Sequence, residues 1–248
     1  MPDRARELYD EGLTAFRMGD PERSRALNDE SLAAAREAAD DAGVGRALIG
    51  LTRLAFRAGD YDDGRRLARE AAAKAEAAGD EELAIMALHM QAEMLRAQRR
   101  YTDAVPLYDQ SIERRRRIAD ERGITMELYN MGAVLALSGD GDRANKLLTE
   151  ALRRARADGH EELTIYALLG LAGAAAAQGD GARAAKLMAA ALAAFAQRGE
   201  VLDPAEDLER REVDAAIERL LAPAELEAAR AGGAALSLDD AVEAALAR

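Results

Sequence analysis

Apolar residues recur along the chain at helical spacing, and the helical stretches are broken at a fixed interval. Gly19-Asp20, Gly59-Asp60, Gly139-Asp140 and Gly179-Asp180 stand forty residues apart, with Arg99-Arg100 in the remaining slot. A period of that length marks a repeat array, whose units bury their apolar faces only by stacking. Each unit reads as two helices. In the second, the pattern predicts a helix over 44–58, the turn Gly59-Asp60, and a helix over 61–78. Glycine suits the left-handed residue that closes a helix, and Asp60 is placed to cap the next one. Asp20 is followed by Pro21 and Glu22, so proline takes the first helical position and an acid the first turn. A second punctuation at Asp40, Asp80, Asp120 and His160 joins the units, with Gly43, Gly79, Gly123 and Gly159 beside it.

Two further registers state what the helices bury. Leu8, Leu48, Leu88, Leu128 and Leu168 align on the first helix, and Leu27, Leu67, Leu107, Leu147 and Leu187 on the second. Small residues align at Ser24, Gly64, Ala104, Ala144 and Ala184, and again at Ser31, Ala71, Ser111, Ala151 and Ala191. Leucines fill the space between helices, and small residues let backbones approach. Unit three departs from the pattern. At Arg99-Arg100 either a non-glycine residue takes the left-handed position or the turn differs. Thr102 offers an alternative cap, and Pro106 then falls near the end of the first helical turn.

The register stops after Gly199. The tail predicts a helix over 204–221, a shorter one over 223–231 broken by Gly232-Gly233, and a last one capped by Ser237 and ending near Ala247. The expected organisation is therefore five units (1–40, 41–80, 81–120, 121–160 and 161–198) followed by acidic capping helices over 199–248. Residues 200–248 hold 13 acids against 5 bases. An atypical polar terminus shields the last apolar face of an array.

Composition narrows the function classes. Charged residues make up 32% and aromatics only 4%, the balance of closely packed helices. The absence of cysteine removes disulfides, thiol catalysis and cysteine-held metals. The start, Met1-Pro2-Asp3-Arg4, lacks the apolar core of a signal peptide, and no apolar run reaches the ~20 residues of a membrane span. A cytoplasmic location is expected. Only three of the 34 basic residues are lysine, but the net charge is −12, so direct nucleic-acid binding is not expected.

The aligned positions resemble tetratricopeptide (TPR) repeats. Unit four shows the family's pattern as Leu128, Met131-Gly132, Gly139-Asp140, Ala144 and Ala151; unit one shows it as Leu8, Gly12, Gly19-Asp20, Ser24 and Ser31. Leucine replaces the usual aromatic of the first helix, the closing proline is missing, and the units run to forty residues. The resemblance covers about residues 3–198 and implies an all-α fold, a right-handed α-α superhelix of five helix-turn-helix repeats with a C-terminal helical cap. It also implies a concave groove lined by the first helix of each unit. Carried over by register, the groove positions are Arg6, Tyr9, Phe16 and Arg17 in unit one, and Arg46, Ile49, Arg53, Phe56 and Arg57 in unit two. Units three to five contribute Met86, His89, Glu93 and Arg96, then Met126, Tyr129 and Asn130, then Tyr166. Units one to three are rich in arginine, which suits bidentate capture of carboxylate or phosphate. Units four and five are apolar and small-residued, fit to hold a helix or the chain's own tail.

The segment Ala224 to Val242, with Gly232-Gly233-Ala234-Ala235-Leu236-Ser237-Leu238-Asp239-Asp240 at its centre, resembles the C-terminal end of bacterial LuxR-type regulators with an NB-ARC-like ATPase. That resemblance implies a regulatory setting.

No catalytic set stands out. His160-Glu161-Glu162 lacks the second histidine of a zinc-protease helix, and Gly139-Asp140-Gly141-Asp142 is too short for a calcium loop. Glu81-Glu82 and Glu161-Glu162 fall at helix starts, where the macrodipole favours them. Arg114 to Arg117 circle a helix and read as a solvated face. The expected function is thus non-enzymatic, without cofactor or metal. It is a protein-interaction module binding an acidic or amphipathic peptide or protein segment in an Arg- and aromatic-lined groove. Two alternatives remain open: a ligand-sensing domain of a transcriptional regulator, and a self-associating scaffold in which the tail occupies a groove of its own chain or of a homodimer partner.

Overall fold

The computed structural model describes residues 2–199, 202 and 204–247. Met1, Arg248, and Glu200, Val201 and Asp203 at the start of the tail lie outside the described residues. Thirteen α-helices and no strand occur among the described residues. In order they are α1 (Pro2–Arg17), α2 (Pro21–Glu37), α3 (Asp41–Ala58), α4 (Tyr61–Ala78), α5 (Glu81–Ala97), α6 (Tyr101–Arg117) and α7 (Glu121–Leu137). There follow α8 (Gly141–Ala157), α9 (Glu161–Ala177), α10 (Gly181–Arg198), α11 (Pro204–Leu220), α12 (Pro223–Ala234) and α13 (Leu238–Leu246). They divide into two compact units, Met1–Arg114 and Arg115–Arg248. In the first, α1 to α5 pack on their sequence neighbours, and α3 also touches α1 and α5. In the second, α7 to α10 repeat that arrangement, and the tail helices pack on α9 and α10.

One turn builds every connection from α1 to α10. The residue that turns the chain after each helix is left-handed, at positions 19, 39, 59, 79, 99, 119, 139, 159, 179 and 199. The turn period is thus twenty residues, half the sequence period: the turns within and between units share one geometry. Seven of these positions are glycine; Ala39, Arg99 and Ala119 adopt positive φ of 51°, 58° and 55°. Arg99 thereby resolves the irregular slot of unit three, taking the left-handed position itself. From Gly19 to Gly179 the next residue then donates its N–H five residues back, as in Asp20 to the Ala15 carbonyl at 2.9 Å and Arg100 to the Leu95 carbonyl at 2.8 Å. That bond closes the Schellman motif. The same residue opens the following helix. The carboxylates of Asp20, Asp40, Asp80, Asp120, Asp140 and Asp180 each accept a backbone N–H three residues on.

Several local expectations are corrected. Asp60 and His160 occupy N-cap positions but make no side-chain cap bond. Thr102 is no cap, because α6 starts at Tyr101. Pro106 consequently lies inside α6 and removes the N–H that would bond the Thr102 carbonyl; its exposed position leaves that carbonyl to water. Of the glycines beside the second punctuation, Gly79 and Gly159 take the left-handed turn position, while Gly43 and Gly123 lie after it. They sit in the first turns of α3 and α7, where an added Cβ would stand 2.5 Å from Asp40 Oδ2 and 2.1 Å from Asp120 Oδ2.

Packing follows the small-residue registers closely. Ser24, Gly64, Ala104, Ala144 and Ala184 are all buried, as are Ser31, Ala71, Ser111, Ala151 and Ala191. The leucine registers hold less strictly: Leu27, Leu88, Leu107 and Leu147 are only half-buried. A third register governs close approach. Asn28 and Leu148 occupy equivalent places on α2 and α8, and each fills the space left by two glycines. A Cβ on Gly12 or Gly50 would stand 2.8 or 1.8 Å from the Asn28 amide, and one on Gly132 or Gly170 would stand 2.5 Å from Leu148 carbons.

The arginine run on α6 is not simply a solvated face. Arg114 pairs with Glu76 and Glu81. Arg115 Nε and Nη2 lie 3.3 Å from Oε1 of Glu127, a carboxylate with no solvent exposure. Arg115 also bonds Asp120, the cap of α7.

In the tail, Gly232-Gly233 does not end α12, which runs on to Ala234. Gly233 instead lets α12 press on α10, for its Cβ would stand 2.1 Å from the Lys186 carbonyl. Along α11, Arg210 Nε donates to Asp207 at 2.8 Å and pairs with Asp214, while Arg211 reaches Asp207 at 2.6 Å. The Arg210 bond, against some burial and with help from Arg211, holds the Asp207 carboxyl below the usual carboxylate range.

These ion pairs are open to test. Arg115→Met leaves the buried Glu127 carboxylate without this partner and should lower unfolding stability in urea by about 3–5 kcal/mol; Glu127→Ala, which leaves Arg115 paired with Asp120, should cost less. A carboxyl whose pKa is depressed on folding stabilises above its unfolded pKa and loses that contribution as pH falls through the folded one. Asp207→Asn should therefore reduce the urea midpoint at pH 7, with the difference from wild type vanishing below the carboxylate range.

Candidate functional site

The site is built from the first helices of the repeats. In unit Met1–Arg114 these are α1, α3 and α5, and their outward residues are linked across the register. Arg53 lies between the two neighbouring helices. Its Nη1 donates to the Tyr9 hydroxyl on α1 at 3.0 Å, and its Nη2 reaches the Met86 sulfur on α5 at 3.3 Å. Arg57 sits over the Phe16 ring, 3.7 Å from its centroid, and donates to the Phe16 carbonyl at 2.9 Å. That carbonyl belongs to the last turn of α1, where the helix end attracts cations, and it also accepts the Gly19 N–H at 3.1 Å. Arg46 pairs with Asp80 at 3.3 Å. Phe56 packs edge-on against Tyr61, 5.9 Å between centroids.

These contacts sort the expected groove residues. Arg6, Arg17 and Arg57 are exposed; Phe16, Arg46, Arg53, Phe56, Met86, His89 and Glu93 are half-buried. Three residues expected to face a partner in this unit do not. Ile49 is fully buried in the core beside Leu48 and Leu51, because its position points between helices. Tyr9 is buried and presents only the hydroxyl that Arg53 holds. Arg96 is buried and pairs with Glu93 at 3.7 Å, while Glu93 also accepts the Tyr108 hydroxyl. Part of the basic character is therefore internal scaffolding. Arg6, Arg17 and Arg57 remain exposed, and Arg53 is half-buried between its neighbours.

In unit Arg115–Arg248 the corresponding face is apolar and already covered. Tyr129 and Asn130 are buried, and Met126 and Tyr166 are half-buried. Tyr129, Tyr166 and Phe195 form a chain of rings with centroids 5.4 and 5.2 Å apart. Tyr166 donates its hydroxyl to Glu206 of α11 at 2.9 Å. The tail helix thus lies on the small-residued face of its own unit. The register marks that face as apolar in advance, but no local signal tells which of its residues α11 covers.

Among the described residues no three His, Asp or Glu are grouped closely enough to hold a metal. No described helix is long and apolar enough to cross a membrane.

Residues 85–121 match the tetratricopeptide repeat family model. No curated protein matches the chain. Among solved structures, a variant of a kinesin light chain of nearly identical TPR-like repeats from Podosopora anserina superposes with a TM-score of 0.66 at 16% identity. The match covers 80% of this chain and 97% of that one. BtubC (BKLC) from P. vanneervenii superposes at 0.62 with 18% identity, over 92% and 91% of the two chains. Aspartyl phosphate phosphatase F from Bacillus subtilis also gives 0.62, at 14% identity; 95% of this chain is covered, but only 63% of the phosphatase. At these identities the likeness establishes the fold alone: the chain is built of TPR-type helix pairs.

Proposed function

We propose that the face of α1, α3 and α5 binds an acidic or amphipathic peptide or protein segment, and that the protein is a non-catalytic interaction module in bacterial cytoplasmic regulation. The observation that carries this reading is the clamping of Arg57 on Phe16 and of Arg53 between Tyr9 and Met86. Arginine side chains fixed in this way lose little freedom when a carboxylate arrives, so their hydrogen bonds contribute more to affinity. Phe16 and Phe56, half-buried beside them, supply apolar contacts for an amphipathic segment. Arg6 and Arg17 extend the positive charge along α1.

A second reading, a ligand-sensing domain of a transcriptional regulator, draws on the tail segment Ala224 to Val242. It predicts a rise in melting temperature with a specific metabolite or signalling peptide.

The leading reading is tested at the exposed arginines, whose replacement leaves the packing intact. Arg6→Glu with Arg17→Glu should weaken binding of Asp/Glu-rich peptides bearing one aromatic residue by about tenfold or more, since a charge-assisted hydrogen bond contributes ~1.5–3 kcal/mol. Binding to the wild type should also fall with added salt, and the helical circular dichroism should not change. Equal affinity of wild type and variant in fluorescence anisotropy removes this face from consideration.

A further inference from the structure

The tail holds a second surface, outside the groove of the repeats. α10, α11 and α12 are tied together at three points. Gly233 of α12 presses on the Lys186 carbonyl of α10, and Leu220 and Leu221 at the end of α11 pack at Gly181 of α10. Arg230 Nη2 of α12 lies 3.4 Å from Asp214 and 3.2 Å from Glu218 of α11. Among these ties an open cavity of about 1020 Å³ remains. Its described lining comes from these three helices and from no first helix of a repeat.

The floor is apolar. Ala189, Leu192 and Ala193 of α10 and Leu226 of α12 are half-buried there, and Ala231 and Ala234 add exposed methyl groups from the α12 wall. Alanine at four of these six positions leaves the space unfilled by the chain's own side chains. Carbon surface left in water favours an apolar occupant. The rim is acidic: it carries Asp214, Glu218 and Glu227 against Arg230. Arg230 is shared between Asp214 and Glu218, and Arg210 pairs with the other oxygen of Asp214. Glu227 is exposed, and none of the ion pairs among the described residues involves it.

We propose that this groove docks an amphipathic helix of a partner protein, one whose apolar stripe is flanked by Lys or Arg. The cavity exceeds the ~300–1,000 Å³ of small-molecule sites and is open to solvent, which suits a chain segment more than a small ligand. Helices form both its walls and its floor, the setting in which an amphipathic helix lays its apolar face between neighbours. The stripe of the partner covers Leu192 and Leu226, and its cations meet Glu227 and Glu218. The sign of the rim selects a basic partner and disfavours a second copy of this chain, whose net charge is −12. The groove selects the opposite charge to the arginine face of α1, α3 and α5, and either site can stand without the other.

The probe is a fluorescent peptide of about 18 residues, with leucine at helical spacing on one face and lysine on both flanks. Its twin carries glutamate in place of lysine. In anisotropy with the full-length chain, the lysine peptide should bind, the twin should not, and added salt should weaken the binding. Glu227→Lys should lower the affinity by about fivefold or more. Glu243→Lys on α13, exposed and outside the groove, changes the net charge equally and should leave the affinity nearly unchanged. Ala231→Trp fills the cavity from an exposed position. It should reduce binding by about tenfold or more, with helical circular dichroism and melting temperature unchanged. Equal loss in Glu227→Lys and Glu243→Lys would reduce the effect to net charge, and full binding by Ala231→Trp would place the peptide elsewhere; either overturns the proposal. No binding of the lysine peptide, or equal binding of its twin, overturns it as well. Binding of dodecyltrimethylammonium that Ala231→Trp abolishes, without binding of the peptide, would make a small amphiphile the occupant. A peptide-free dimer in sedimentation that Ala231→Trp dissociates would make it a second copy. Both results would also overturn the proposal.

Discussion

The structure depends on a turn that ends one helix and starts the next with two residues. The left-handed residue turns the chain, and the residue after it serves both helices. Its N–H reaches back five residues to an unpaired carbonyl, while in six of the turns its carboxylate takes an unpaired N–H from the helix ahead. Satisfying both ends of the reversal in so short a span leaves little freedom in the angle between successive helices. Recurring every twenty residues from Gly19 to Gly179, the turn gives the helices nearly the same length and one phase. Side chains forty residues apart therefore meet equivalent surroundings within a unit, and this is what makes a face out of residues distant in sequence.

That phase explains the close packing. Residues such as Asn28 and Leu148 on second helices enter between two first helices, each offering a glycine at the point of contact. At Ala68, the corresponding position on α4, the register places Thr52 and Met90 where the glycines stand. The phase also fixes how the arginines of α3 stand. Once α1 and α5 flank α3 at a set distance, Arg53 can touch Tyr9 and Met86 together, and Arg57 can lie on Phe16. The basic face is a product of the stacking, and its geometry rests on scaffold contacts as much as on its own residues.

The tail shows the opposite balance. α12 is pressed against α10 through Gly233, and α13 buries Ala241, Val242 and Ala245. α11 lies between the repeats and these helices. Its own ion pairs support its helical form, Val213, Ile217 and the Tyr166–Glu206 bond seat it on the repeats, and Arg230 of α12 pairs with its Asp214 and Glu218.

What the sequence determined by itself was everything that depends on local spacing. The forty-residue register located the helices, the Gly-Asp turns and the small buried positions, because turn chemistry and helical periodicity are written in neighbouring residues. It left a non-glycine residue in the left-handed position as one of two outcomes at Arg99-Arg100, which the structure takes, and did not reveal the same conformation at Ala39 and Ala119. Nor did it separate exposed from buried arginine. Arg6 and Arg96 occupy the same kind of helix, yet one is exposed and the other is buried beside Glu93. Glu127 was not singled out, because its burial depends on Arg115 arriving from the preceding helix. Those distinctions belong to the tertiary structure alone: burial and ion pairing are set by which helices meet, and a sequence register fixes the phase of a face without fixing what covers it.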